Sequence, residues 1–105
     1  MKVSNFYNKN QFVITGEEEI IFQSYESTIA IIDLKNGQLK LGYCWDYSKT
    51  TSKHLYLFIN DYFYNFNDEI RQWLKEYDFF DTSNKRKVIN ELINQNIIKY
   101  DENLR

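Results

Sequence analysis

The chain contains no proline, three glycines, one cysteine and one histidine. A single cysteine permits no internal disulfide, so the thiol content asks for no oxidising compartment. With one cysteine, one histidine and scattered carboxylates, the sequence shows no zinc-binding spacing. Glycine is too sparse for a phosphate-cradling loop of the P-loop or dinucleotide-binding kind. No apolar stretch approaches the ~18 residues of a membrane span, and MKVSNFYNKN lacks the roughly 7–15-residue apolar run of a secretory signal. These absences lead us to expect a cytoplasmic protein with no cofactor and no membrane partner. Basic residues number 13 against 15 acidic ones, a net charge of -2. That balance argues against a duplex nucleic-acid binder, which presents a basic surplus. The sequence also contains no internal repeat, linker or low-complexity segment.

What remains is an ordinary globular composition, 43% hydrophobic and 27% charged, over 105 residues. That length supports one core, and residues 1–105 read as a single α+β domain. Aromatic residues make up 18% of the chain, with nine tyrosines and eight phenylalanines. A domain of this size has limited interior, so some of these rings are expected at the surface, where they favour contact with a partner.

The first half reads as strands. QFVIT, EEIIFQSY, STIAIIDL and QLKLGY are short alternating or apolar runs rich in β-branched and aromatic residues. Asn36-Gly37 between the third and fourth is a hairpin signal, because both residues tolerate positive φ. The second half changes period. Leu55, Phe58, Ile59 and Tyr62 mark a helix over SKHLYLFINDYFYNF, Ile70, Trp73, Leu74 and Tyr77 a second, and Val88, Ile89, Leu92 and Ile93 a third. Asn67 or Asp68 is placed to cap the second helix and Ser83 the third. IIKY at 97–100 reads as an added edge strand. The expected fold is an antiparallel meander of three to four strands followed by about three helices packed on one face.

GYCWDYSKTTSKHLYLF, residues 42–58, concentrates the residue types used in catalysis. It reads as a sheet-to-helix joint in which Ser48, Thr50 or Thr51 caps the helix, and Trp45 and Tyr47 fold back over the core. A Cys44–His54 dyad lacks an oxyanion turn nearby. A Ser48–His54–Asp46 triad would place in one short segment members that hydrolases draw from distant ones. Cys44, Asp46 and His54 are one ligand short of a tetrahedral metal site. The helix start with Lys49 and Lys53 is a weak anion site, and Lys85-Arg86-Lys87 reads as a solvated face or a phosphate contact. No assembled catalytic set emerges, so the protein is expected to be non-enzymatic.

WDYSKTTSKHLYLF at 45–58, together with FQSYESTIAIID at 22–33, resembles a pattern in small uncharacterised proteins of bacteriophages and mobile elements of low-GC Gram-positive bacteria. The resemblance covers about residues 20–60. It implies a phage or mobile-element accessory protein working in the host bacterial cytosol, the setting in which type II anti-CRISPR and other host-takeover inhibitors occur.

Residues 61–81 supply the surface such a role needs. Asp61, Asp68, Glu69, Glu76, Asp78 and Asp81 oppose only Arg71 and Lys75, and rings interleave with the carboxylates. Asp61, Tyr64, Asp68, Glu69, Glu76, Asp78, Phe79 and Asp81 are therefore the candidate partner-binding residues. The expected partner is a host protein with a basic groove, such as a CRISPR effector nuclease, met by a monomer or homodimer without direct nucleic-acid contact.

Overall fold

The apolar and alternating runs of the first half pair as an antiparallel meander. In the computed structural model, which describes residues 2–64, 68–79 and 81–105, these are β2 (Gln11–Thr15), β3 (Glu19–Ser24), β4 (Ser27–Asp33) and β5 (Gln38–Gly42), preceded by a further strand, β1 (Lys2–Asn5). A sixth strand, β6 (Lys99–Asp101), joins the far edge parallel to β5, so the sheet order is β1-β2-β3-β4-β5-β6. A parallel neighbour needs a long crossover, and here all the helices form it.

The sheet is thus larger than the three to four strands expected. β1, KVSN, is exposed along its whole length, so no apolar alternation announces it; its pairing with β2 defines it. β6 is only three residues long, and the strand expected at 97–100 starts two positions later, after Ile98 has entered the core.

Period-two alternation sorts the sheet into two faces. Val13, Phe22, Ala30 and Leu41 form one cross-strand row and Ile32 and Leu39 the next. These residues are buried and merge with helix residues in one core. The opposite face carries Val3, Ile14, Ile21, Ile31, Lys40 and Lys99 in register, all half-buried or exposed and outside that core.

The helices are α1 (Lys49–Phe58), α2 (Asp68–Glu76) and α3 (Lys85–Asn94). α1 continues as one π-helical stretch, Ile59–Phe63, closed by a 2.8 Å bond from Tyr64 N–H to the Ile59 carbonyl. Leu55, Phe58, Ile59 and Phe63 are buried while Tyr62 stays half-buried. The expected continuation of this helix over Asn65 and Phe66 lies outside the described residues, as does the expected cap Asn67. Asp68, the alternative cap, is instead the first residue of α2. α3 is capped by Asn84, whose Oδ1 accepts from Lys87 N–H at 3.3 Å, and not by Ser83. Both residue types cap well, and the chain enters the helix one residue later than its composition suggested.

Scarce glycine leaves other residues to make the left-handed turns. Gly37 has φ 65°, but Tyr7, Tyr25, Asp78 and Asn96 also have φ between 55° and 63°. Asn36 does not share the positive φ expected of it; Asp33 Oδ1 instead accepts from the Lys35 and Asn36 N–H groups and shapes the turn. Asp78 and Asn96 end α2 and α3 in left-handed caps, with Phe79 N–H bonded to the Leu74 carbonyl and Ile97 N–H to the Leu92 carbonyl. The first of these caps turns Phe79 inward.

Candidate functional site

The stretch 42–58 builds a joint, as its hydroxyls suggested. Ser48 caps α1, its Oγ accepting from Thr51 N–H at 3.1 Å. Thr51, buried, also lies 3.1 Å from both Ser48 Oγ and Ser24 Oγ. This chain of hydroxyls moors the helix start to the end of β3. Trp45 is buried in the core, but Tyr47 is 82% exposed, so the joint closes with one ring and presents the other to solvent. His54 is buried with Nδ1 2.8 Å from the Thr50 carbonyl one helical turn back, a local contact that orients the ring. Among the described residues, no hydrogen bond joins Cys44 to His54, and no group of three His, Cys, Asp or Glu residues converges as a metal site.

The acidic segment is divided by its packing. At about 100° per residue, Asp68, Glu69 and Glu76 share one exposed arc of α2 with Gln72 and Lys75. Trp73 borders that arc and stacks on Tyr77, rings 5.9 Å apart and 16° from parallel. Asp78 and Asp81 follow, exposed, in the turn. Asp61 is exposed, but its Oδ2 accepts a 2.7 Å bond from Tyr7 Oη. Tyr64 is half-buried beneath the Arg71 guanidinium, 5.5 Å from its ring centre. Phe79, an expected partner contact, is fully buried, and Tyr56 packs edge-on against it at 5.7 Å. An apolar ring following the left-handed Asp78 has nowhere to go but the core.

The surface rings lie elsewhere. Among the described residues, the large exposed aromatics are Tyr7, Tyr25, Tyr43, Tyr47 and Tyr100, none from the acidic segment. A phenol keeps its hydroxyl in water at little cost, while Phe6, Phe22, Phe58, Phe63 and Phe79 are buried in the core and Phe12 is half-buried on the opposite sheet face.

A feature that sequence reasoning did not assemble is a cleft of about 1000 Å³ between the starts of α1 and α3. Lys49, Lys53, Tyr56 and Leu57 of α1 line it together with Lys85 and Arg86 of α3, and Lys85 Nζ donates to the Thr82 carbonyl at 2.9 Å and lies 5.8 Å from the Phe79 ring centre. Arg86 Nη2 lies 2.9 Å from Asp46 Oδ2 and ties α3 to the joint. Burial raises the Tyr56 phenol above its ordinary value, a Ser52 hydrogen bond opposes that rise, and the Asp46 charge adds to it. The two basic clusters lie more than thirty positions apart, so no local signal could have paired them. Lys87, third in its cluster, lines a separate hollow with Tyr77 and Val88.

No curated protein and no solved structure matches this chain. A family model described as a family of unknown function, DUF8033, matches residues 1–87, a span that takes in β1 to β5, α1, α2 and every residue lining the cleft. With far more than half of its length matched, the chain belongs to the DUF8033 family.

Proposed function

We propose that the protein works by docking rather than by bond-making. It binds a partner through the acidic arc of α2 and the turn after it, and occupies a basic groove that would otherwise hold nucleic acid. The carrying observation is the shared exposure of Asp68, Glu69 and Glu76 on one helical arc, continued by Asp78 and Asp81 and bordered by the Trp73–Tyr77 stack. Carboxylates steer encounter with Lys and Arg, and a rigid ring at their border adds desolvated contact area. The resemblance to phage and mobile-element proteins makes a CRISPR effector nuclease the concrete partner.

Expression in cells carrying such an effector tests this reading. The protein should co-purify with the effector and suppress interference, and Glu69→Lys with Glu76→Lys and Asp81→Lys should restore interference while leaving the fold intact. Undiminished interference across effector types refutes it. A second reading, self-association, rests on the exposed Tyr7, Tyr25, Tyr43, Tyr47 and Tyr100. Light scattering separates the two, since a mass that doubles with concentration favours the second.

A further inference from the structure

Strand direction alternates from β1 to β5 and β6 runs parallel to β5, so the sheet has two ends of opposite make-up. One end holds the β1–β2 turn, the β3–β4 turn, the exit of β5 into the joint and the exit of β6. Tyr7, Tyr25, Tyr43, Tyr47 and Tyr100 all stand there, the last of them one residue short of the end of β6. At the other end, the turns after β2 and β4 carry Glu17, Glu18 and Lys35 and no aromatic ring. Exposed rings scattered singly need no explanation. Here every large exposed aromatic among the described residues is gathered at one end of the sheet.

Two of the five are held there against local preference. Tyr7 and Tyr25 have φ of 63° and 55°, turn positions that glycine or asparagine fills readily and a bulky residue rarely takes. Strain kept at exposed rings points to a role outside the monomer. Tyr25 lies midway across the strand order and lines a hollow of about 260 Å³ with Tyr47, Cys44 and Ile29. Charge at this end is mixed: the ring-bearing segments hold Lys9 and Arg105 against Glu26, Asp46, Asp101 and Glu102, and Asp46 is itself paired with Arg86. A single-stranded nucleic acid needs a basic track beside its stacking rings, which this end lacks. The acidic arc of α2 and the run Glu17, Glu18, Glu19 would each repel a second copy of themselves, whereas a surface of both signs does not. At about 200 Å² for a whole tyrosine side chain, exposures of 44–82% leave about 600 Å² of these residues open on each copy. Two copies together offer about 1200 Å², the size at which specific, stable interfaces begin.

We infer that the tyrosine end of the sheet is a homodimer interface, where two copies of the chain meet about a two-fold axis with Tyr25 and Tyr47 of each at its centre. The inference rests on the self-association reading and adds to it which surface closes, and that it closes at two chains.

Sedimentation equilibrium of the full chain, from about 1 μM to about 1 mM, tests it. The mass should rise from one chain to two and no further. Tyr43→Ser with Tyr47→Ser should raise the dissociation constant by about tenfold or more, with an unchanged circular dichroism spectrum, because both residues are at least half exposed. Tyr47→Phe, which keeps the ring, should dimerise like the wild type, and so should the Glu69→Lys, Glu76→Lys, Asp81→Lys variant. Amide shifts of the wild-type protein on dilution supply a readout that needs no variant, and they should move at Tyr25, Glu26, Tyr43 and Tyr47. A single-chain mass at every concentration overturns the inference together with the self-association reading. A dimer of full affinity in the serine variant, or dilution shifts confined to the open sheet face at Ile14, Ile21 and Ile31, overturns the inference and leaves that reading standing. A mass that climbs past two chains overturns the two-fold closure.

Discussion

Tyr7 Oη donates a 2.7 Å hydrogen bond to Asp61 Oδ2, which pins the turn between β1 and β2 to the π-helical end of α1 across 54 positions of sequence. The bond holds Tyr7 in its neutral form: the Asp61 hydrogen bond, then burial, then the Asp61 charge raise its phenol above the ordinary value. A raised folded value means the contribution is fully present below the unfolded phenol value of about 10 and is lost as pH climbs through the folded one. Tyrosinate absorbance during alkaline titration should show a late-ionising tyrosine that Asp61→Asn shifts earlier and Tyr7→Phe removes. Unaltered titration in both variants would show that the bond does not form in solution.

Gly42 closes β5 where the chain's last residues fold back. A Cβ there would lie 2.5 Å from the Leu104 carbonyl oxygen and 2.8 Å from that of Thr28, both backbone atoms. Gly42→Ala should cost about 2 kcal/mol or more, read from the denaturant midpoint, as backbone must move to admit one methyl. An unshifted midpoint would contradict the close backbone approach of both Leu104 and Thr28 to Gly42.

Gln11 is fully buried, and neither its Nε2 nor its Oε1 has a hydrogen-bond partner. Desolvating an amide without compensation costs about 1–3 kcal/mol. Gln11→Met keeps the volume and removes the polar atoms, so it should raise the melting temperature by several degrees, about 4–8 °C per kcal/mol for a domain near this size. A lowered melting temperature would contradict the unpaired burial.

The caps offer a paired comparison. Ser48→Ala removes the acceptor for Thr51 N–H and one link of the Ser24–Thr51–Ser48 chain, and should cost about 1 kcal/mol. Ser83→Ala should cost less than about 0.5 kcal/mol, because Asn84 caps α3. Chemical denaturation of the two variants side by side checks the order, and a larger loss for Ser83→Ala would reverse the assignment.

Left-handed backbone at Tyr25, φ 55°, gives a further stability test. This exposed ring sits in the β3–β4 hairpin at a conformation that costs a non-glycine residue about 1–2 kcal/mol. Tyr25→Gly should recover part of that cost, less the added freedom of the unfolded chain. Calorimetry showing destabilisation instead would assign the ring a packing role.

Periodicity was legible wherever neighbours along the chain share an environment. Lys40 and Leu41 alternate because one face of β5 meets the core, and Val88, Ile89 and Leu92 repeat because one stripe of α3 does. Ser48 was readable as a cap because its role lies within three residues of itself. β1 was not readable, since a polar edge strand is defined by its partner rather than by its own pattern. Phe79 was misread because a left-handed turn at Asp78, invisible to helical spacing, decides which way the chain leaves α2.

The sequence by itself determined the change from strands to helices, the cap of α1 by Ser48, and the acidic character of residues 61–81, because each follows from residues a few positions apart. Only the tertiary structure decided that Lys49 and Lys53 share a cleft with Lys85 and Arg86, that Asp61 is engaged by Tyr7, and that β6 lies parallel to β5. Charge and hydroxyl groups whose partners lie far along the chain carry no address in the sequence. Their partners are assigned by the packing of an apolar core that brings distant segments together for reasons of its own.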